Sequence, residues 1–450
     1  MVERSRFRRQ FLAASGATMG MALAGCMDQI SSGSSDDEGN ESSNETDGED
    51  TETEGTESAD SDDVDSPELT VETEYNSREE YRQPGEAFVD FENLEEWELL
   101  EGSGDAETDV VFDGDQSLRL TAEDEDNAVV ATEFEATDLS DRDVSMAVRT
   151  TTPANIALEI QLRDIYGGYA SYMLQSVSYG SDEPGWFRTC PGFADESTTP
   201  VEQDAIDELR VVVHNTGDEA EVWVDDIRTH EKPDQGYVIL CWDDGFEDFY
   251  EPAGPIHDEY DVIAVQAAVR QWTRDQRDGI MTTDQLLERQ EAGDQIVAHG
   301  THTEFADMEP DELRDSIETD KNWAVQNEFQ GGHYLVFPHN NFNREVLELV
   351  SDYYYAGGFN QAGNVNLTGV TGYDPLVLPR TIGHDLEIAA QCVDTAAAHR
   401  QCTILNFHAF DLDNTMDADD YEDLVQYIAE TDGVEAIDFD DLWAMRRAGH

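Results

Sequence analysis

Between residues 116 and 230 the apolar side chains fall at every second position in short runs, such as "QSLRLTA" at 116–122, "VSMAVRT" at 144–150, "IALEIQLRD" at 156–164, "LRVVVHN" at 209–215 and "AEVWVDDIRTH" at 220–230. Gly- and Asp-bearing turns separate the runs, and no 3.6-residue period accompanies them. A period of two is the signature of strands with one buried face, so residues 71–232 predict an all-β jelly-roll sandwich. After Pro233 the pattern changes. Apolar runs near 237–241, 262–269, 295–298, 334–337, 375–378, 403–407 and 433–438 read as buried strands. Amphipathic stretches at 283–291, 310–328, 344–351, 386–400 and 421–430 read as the helices between them. Strand–helix–strand repetition predicts a parallel α/β architecture, a distorted (β/α) barrel over 233–450, with side chains just past the C-terminal strand ends converging on one face.

The first seventy residues have neither pattern. Arg4, Arg6, Arg8 and Arg9 precede an apolar stretch at 11–24 that is short for a membrane span and flanked as a secretory leader would be. "RRQFL" at 8–12 resembles a twin-arginine signal, and "LAGC" at 23–26 resembles a lipobox. Together they imply a leader over 1–26, export by the twin-arginine route, lipidation of Cys26 and a membrane-anchored protein facing outside the cell. Residues 27–70 are almost wholly Ser, Thr, Gly, Asn, Asp and Glu, which predicts a disordered acidic linker.

Charge narrows the partners. The 450 residues carry a formal net charge of −78, and Lys232 and Lys321 are the only lysines. Such self-repulsion is tolerable where molar salt shortens the screening length to about 3 Å, so the composition reads as that of an extreme halophile. No basic face is available for a polyanion, which excludes nucleic acid, and nothing in the sequence calls for a protein partner. Apart from Cys26 the cysteines are Cys190, Cys241, Cys392 and Cys402, without metal-site spacing; a Cys392–Cys402 bridge and buried free thiols both fit.

Candidate chemistry sits at the predicted strand ends. Asp243 and Asp244 follow the run ending "LCW", His299 and His302 follow "QIVA", and His408 follows "TILNF". Alone, Asp-Asp-Gly is an ordinary turn and a lone His an ordinary strand-edge residue. Jointly, one Asp and two His make a three-ligand set that leaves positions open for water, while a second Asp and a third His supply a base and an acid.

These motifs resemble the polysaccharide deacetylases with a NodB-homology domain, over about 236–445. "CWDDG" stands where that family has Thr-Phe-Asp-Asp-Gly, which implies Asp243 as catalytic base and Asp244 as metal ligand. "AGDQIVAHGTH" resembles the second motif, with His299 as a ligand. The usual spacing there puts three residues between the histidines, and this chain has two. Either Thr303 takes the second ligand position without a gap, or His302 takes it with one residue deleted. The offsets of Phe305, Met308, Pro310, Glu312 and Leu313 favour His302. "VFPHNNFN" at 336–343 resembles the third motif through Pro338, Phe342 and Asn343, with Val336 in place of Arg and His339-Asn340 in place of Tyr-Gly. By the resemblance, the His339 backbone supplies an oxyanion donor. "LPRTIG" implies that Arg380 orients Asp243, and "ILNFH" implies His408 as general acid with Leu405 lining the pocket.

The resemblance thus implies a hydrolase that removes N- or O-acetyl groups from a polysaccharide with one divalent ion, zinc being the expected one. The alternative is an inactive glycan-binding lipoprotein, favoured by the altered second and third motifs. A peptidase or phosphatase lacks its HExxH or multi-Asp pattern. In the first half, "FVDFENLEEW" and "VWVDDI" resemble the first and last strands of jelly-roll carbohydrate-binding modules. That resemblance implies a structural Ca2+ with Asp90, Glu92 and Asp226 as candidate ligands. Trp97, Tyr166, Tyr169 and Trp186 are candidates for stacking on sugar rings.

Overall fold

The computed structural model describes residues 84–449 apart from 124–125, 176, 178–182, 302, 362–364, 411 and 413–414. The leader, Cys26, the linker, the start of the predicted sandwich and His302 lie outside the described residues.

The alternating runs of the first half form two six-stranded sheets, antiparallel throughout. One orders strands Ser103–Glu107, Ser117–Glu123, Glu219–Glu231, Arg142–Thr150 and Phe187–Thr189, with Glu86–Val89 also paired to Glu219–Glu231. The other orders Gly192–Glu196, Tyr169–Leu174, Ile156–Asp164, Ile206–Asn215, Ala128–Thr137 and Trp97–Glu101. Alternate side chains such as Leu118, Val148, Leu158, Ile160, Val211 and Val224 meet in one apolar core. That core continues to Phe337, Phe342 and Leu347 of the second half, so the two halves share buried surface.

Numbering from the start of the second half, the elements are β1 (Gly236–Trp242), α1 (Ala253–Tyr260), β2 (Val265–Ala268), α2 (Arg270–Arg274), α3 (Thr283–Ala292) and β3 (Gln295–Ala298). Next come α4 (Pro310–Gln326), β4 (Tyr334–Val336), α5 (Arg344–Val350), β5 (Ala356–Gln361), β6 (Leu367–Thr368) and β7 (Leu378–Ile382). The chain finishes with α6 (Leu386–His399), β8 (Cys402–Phe407), α7 (Ala418–Glu430), β9 (Val434–Ala436) and α8 (Phe439–Ala448). Strands β1, β2, β3, β4, β5, β7 and β8 pair in parallel, and β8 pairs again with β1, closing a seven-stranded barrel. β6 adds an antiparallel edge to β8, and β9 pairs with the start of β1.

Strand alternation sorts the barrel's side chains. Ile239, Cys241, Val265, Val297, Leu378 and Ile404 form an apolar cluster with Phe439, Leu442 and Trp443 of α8. Leu240, Trp242, Leu405 and Phe407 pack instead with residues of α6 and α7, including Val393, Tyr421 and Leu424. Helix ends follow local chemistry: Thr282 and Gln285 form a reciprocal capping box on α3, and the Asn343 side chain accepts the Val346 N–H at the start of α5.

Three expectations change. The strand expected at 375–378 lies at Leu378–Ile382, so Arg380 stands within β7 rather than past it. β5, absent from the sequence reading, has the composition Ala-Gly-Gly-Phe-Asn-Gln. The four described cysteines are all free and buried, which leaves no Cys392–Cys402 bridge. Lys321 is buried against the carbonyl of Gly332, and Lys232 is half-buried with its ammonium on the Asp143 carboxylate.

Candidate active site

β1 ends at Trp242, and the next two residues leave the sheet by a turn with φ 73° at Asp244 and 83° at Gly245. Left-handed backbone is costly for most side chains but accessible to Asp and free for Gly, so the sequence Asp-Asp-Gly is what lets the chain turn here. The turn leaves Asp243 buried, at 4 % exposure, with its backbone N–H donating to Phe407 O of β8 at 2.9 Å. Asp244 is half-buried beside it.

Arg380 reaches Asp243 from β7 and is wholly buried. Its Nη1 donates to Asp243 Oδ1 at 2.9 Å and its Nη2 to Oδ2 at 3.1 Å, a two-pronged pair that fixes the carboxylate plane. Burial alone would raise the Asp243 carboxyl, but the guanidinium, with smaller help from His299 and His408, overrides it and brings the pKa to about 2. Asp243 is therefore an anion at neutral pH.

His299 follows β3 and is buried. Its Nδ1 donates to Val336 O at 2.9 Å, because a carbonyl can only accept. In the neutral ring this leaves the Nε2 lone pair facing the carboxylates, 3.6 Å from Asp244 Oδ1 and 4.0 Å from Asp243 Oδ2. An imidazole held through Nδ1 by a backbone carbonyl, with Nε2 turned toward a carboxylate, is the donor arrangement of a metal-binding histidine. Asp244 and His299 thus fit a divalent ion. Among the described residues no three His, Cys, Asp or Glu side chains are grouped as a metal site, and His302 is not among them.

His408 follows β8 with its side chain 27 % exposed and its Nε2 4.0 Å from Asp243 Oδ2. Its Nδ1 has no hydrogen-bond partner among the described residues, and its ring meets His384 edge to face at 5.6 Å. Asp248 accepts the Phe410 N–H at 2.6 Å, tying the loop behind His408 to the loop behind Asp243.

The loop after β4 carries His339 at φ 53° with an exposed side chain, and Asn340, also at φ 53°, buried. Asn340 Oδ1 accepts from Arg380 Nη2 at 3.1 Å, a contact the sequence reading did not foresee. Phe342 and Asn343 are structural: the first is wholly buried against Phe337, the second caps α5. Leu405, expected to line the pocket, is instead wholly buried in the layer between barrel and helices, because it shares strand parity with its neighbour Leu240.

The first half offers less than its sequence promised. Asp226, a candidate calcium ligand, holds Arg188 and Arg228 on its carboxylate, so a cation there would face two guanidinium charges. Asp90 accepts the Glu92 N–H, and Glu92 accepts the N–H groups of Asp115 and Gln116, which occupies both in loop structure. Trp97 stacks on Phe91 and Trp186 packs on Phe112. Tyr169 lies under the Arg163 guanidinium, and Tyr166 is 72 % exposed.

A family model described as polysaccharide deacetylase matches residues 230–358, a segment that contains Asp243, Asp244, His299 and His339 and stops before Arg380 and His408. No curated protein matches the chain. Among solved structures the chain is similar to the Streptococcus pyogenes deacetylase PplD in complex with acetate, at 23% identity and TM-score 0.29, covering 32% of this chain and 63% of that one, less than two thirds of its length. It is also similar to the peptidoglycan deacetylase PdaC from Bacillus subtilis, at 11% identity and TM-score 0.35, covering 48% of this chain and 94% of that one. A family 4 carbohydrate esterase from Bacillus anthracis gives 17% identity and TM-score 0.32, covering 47% of this chain and 84% of that one. Similarity to the polysaccharide deacetylase family is thus carried by residues 230–358 of the chain.

Proposed function

We propose that the protein hydrolyses N-acetyl or O-acetyl groups on a polysaccharide outside the cell. The observation that carries this reading is the convergence on Asp243: a paired Arg380 on one side, and the Nε2 atoms of His299 and His408 each 4.0 Å from the same Oδ2 on the other. Asp244, His299 and His302 would hold a divalent ion, with zinc favoured by the nitrogen donors. Such an ion supplies Lewis acidity, which brings the pKa of water toward neutrality and polarises an acetyl carbonyl.

The residues of the chain supply the rest. Asp243, kept ionised by Arg380, accepts a proton from the attacking water as its oxygen bonds to the acetyl carbon. Arg380 holds the carboxylate plane so that one Oδ2 lone pair faces the histidines. The His339 backbone N–H supports the oxyanion that forms at the carbonyl oxygen. His408 gives a proton to the leaving nitrogen or oxygen as its bond to the carbonyl carbon breaks, and the products are acetate and a free amine or hydroxyl. The leader motifs support export by the twin-arginine route and a lipid anchor at Cys26. The two antiparallel sheets support a jelly-roll, carbohydrate-binding-like reading of the first half.

The test is acetate release from a panel of acetylated xylan, N-acetylated chito-oligosaccharides and surface glycans in molar salt, with metal content measured on the same sample. Asp243→Asn is expected to abolish turnover while keeping the ion bound; retained turnover would sink the base assignment. Absence of both acetate and stoichiometric metal would favour the alternative, a glycan-binding protein with an inactive domain.

A further inference from the structure

Behind Arg380 lies a second buried amide. Asn366 has no exposed surface and stands one residue before β6. Its side-chain Nδ2 donates to Arg380 O at 3.3 Å, and its backbone N–H donates to Thr381 Oγ1 at 2.8 Å. The Thr381 hydroxyl donates back to Asn366 O at 3.1 Å. The remaining polar atom, Oδ1, accepts the backbone N–H of Gln175 at 2.9 Å, and Gln175 follows directly on the strand Tyr169–Leu174 of the antiparallel half. One amide therefore spends its donor on the barrel strand that carries Arg380 and its acceptor on the sandwich.

The surrounding contacts make this a built seam. Thr368 of β6 bridges Pro191, and its hydroxyl donates to Cys190 O at 3.1 Å. Phe193 stacks on His399 with ring centroids 3.7 Å apart, and its N–H donates to Gln401 Oε1 at 2.8 Å. Lys232 joins the Asp143 carboxylate to the carbonyl of His399 at the end of α6. Removing the Asn366 amide takes away the acceptor of the part-buried Gln175 N–H and a donor to Arg380 O, and frees the end of β7 to shift.

We infer that Asn366 is a positioning residue that ties Arg380 and Thr381 to the sandwich, so that the first half of the chain holds the Arg380–Asp243 pair in place. The sandwich is on this account part of the site's frame and not a detachable module. The consequence for rate rests on the deacetylase reading; the coupling between Asn366 and Arg380 does not.

The experiment is a double-mutant cycle in the full chain, with Asn366→Ala, Arg380→Lys and the pair together, on acetylated xylan and N-acetylated chito-oligosaccharides in molar salt. Asn366→Ala is expected to lower kcat about tenfold or more with KM within about twofold, because misplacement of a catalytic group costs rate and not affinity. In the Arg380→Lys background the same change should cost less than about twofold, since the interaction it supports is already gone. An equal factor in both backgrounds, or a rise in KM at constant kcat, would overturn the inference. Should Asn366→Ala fail to fold, Asn366→Leu takes its place, since it keeps the volume without a buried charge and removes the donor to Arg380 O. If wild type releases no acetate from either substrate, the deacetylase reading falls. The coupling is then read from unfolding midpoints of the same four proteins: non-additive shifts sustain the role of Asn366, and additive shifts overturn it.

Discussion

On one side of Asp243 the Arg380 guanidinium closes two hydrogen bonds onto the carboxylate, passes a third to Asn340, and is itself backed by Asn366. On the other, His299 and His408 hold their Nε2 atoms 4.0 Å from Asp243 Oδ2, beyond hydrogen-bond reach. The arginine side is a polar network held by the fold inside the barrel, with both Arg380 Nη atoms engaged and only its Nε without a partner among the described residues. The histidine side is a pair of imidazoles held beside the carboxylates with no hydrogen bond to them. Losses on the first side should therefore appear in stability as well as rate, and losses on the second in binding and rate alone.

Arg380→Met tests the first half of that statement and carries the largest effect. It strands a buried carboxylate, which should lower unfolding free energy by about 3–5 kcal/mol in a denaturant titration and abolish acetate release. The pH dependence follows from the lowered Asp243 carboxyl. The folded pKa of about 2 lies below the ordinary value of 3.8, so the pair's stabilisation is present in full above the ordinary value and is lost as pH falls through about 2. In the variant, burial is opposed only by His299 and His408, and the carboxyl rises. The gap between wild type and variant should therefore be wide at neutral pH and shrink toward pH 2; a constant gap would separate the stability loss from the charge pair.

Asp244→Asn tests the second half with a smaller structural effect. Asn tolerates the left-handed turn as Asp does, so the unfolding midpoint without added metal should move by less than about 1 kcal/mol. In wild type, Zn2+ at a hundredfold excess over its Kd should add about 2.7 kcal/mol, whereas Asp244→Asn should lose most of that increment together with acetate release. A zinc-dependent midpoint retained in the variant would remove Asp244 from the ligand set.

The same division explains what the sequence revealed. Asp243, Asp244, His299 and His408 were legible because each follows an apolar run whose end is visible as a change from apolar to polar residues. β5 was not, because Gly357 and Gly358 interrupt the apolar pattern; at Gly357 a Cβ would lie 2.6 Å from Leu335 O, so close strand packing requires the glycine. Arg380 was recognisable by motif but misplaced by a few residues, because a strand carrying Pro379, Arg380 and Thr381 looks polar until Asp243 is known to pair with the guanidinium and Asn366 to bond the strand's backbone and Thr381. Asn366 was silent altogether, and Asn340 was visible only as a replacement within the third motif, with no sign of its bond to Arg380. Each acts through a tertiary contact that no periodic position announces. Asp248 was hidden among 103 acidic residues, most of which the charge balance had already assigned to the surface.

The smallest expected effect belongs to the loop that joins the two sides. His339 is exposed and held at φ 53°, ψ 20°, next to Asn340, which accepts from Arg380. If the loop works through its backbone, the side chain at 339 matters only through its tolerance of left-handed geometry, a preference of about 1 kcal/mol per residue. His339→Gly should accordingly keep kcat within about twofold and hold or raise stability. His339→Val, β-branched and poorly suited to positive φ, should lower both, because the shift it forces reaches Arg380 through Asn340. Measured kcat and unfolding midpoints for the two variants decide the matter. A large loss in His339→Gly would mean that the imidazole itself touches substrate, and would move His339 from the held side of the site to the open one.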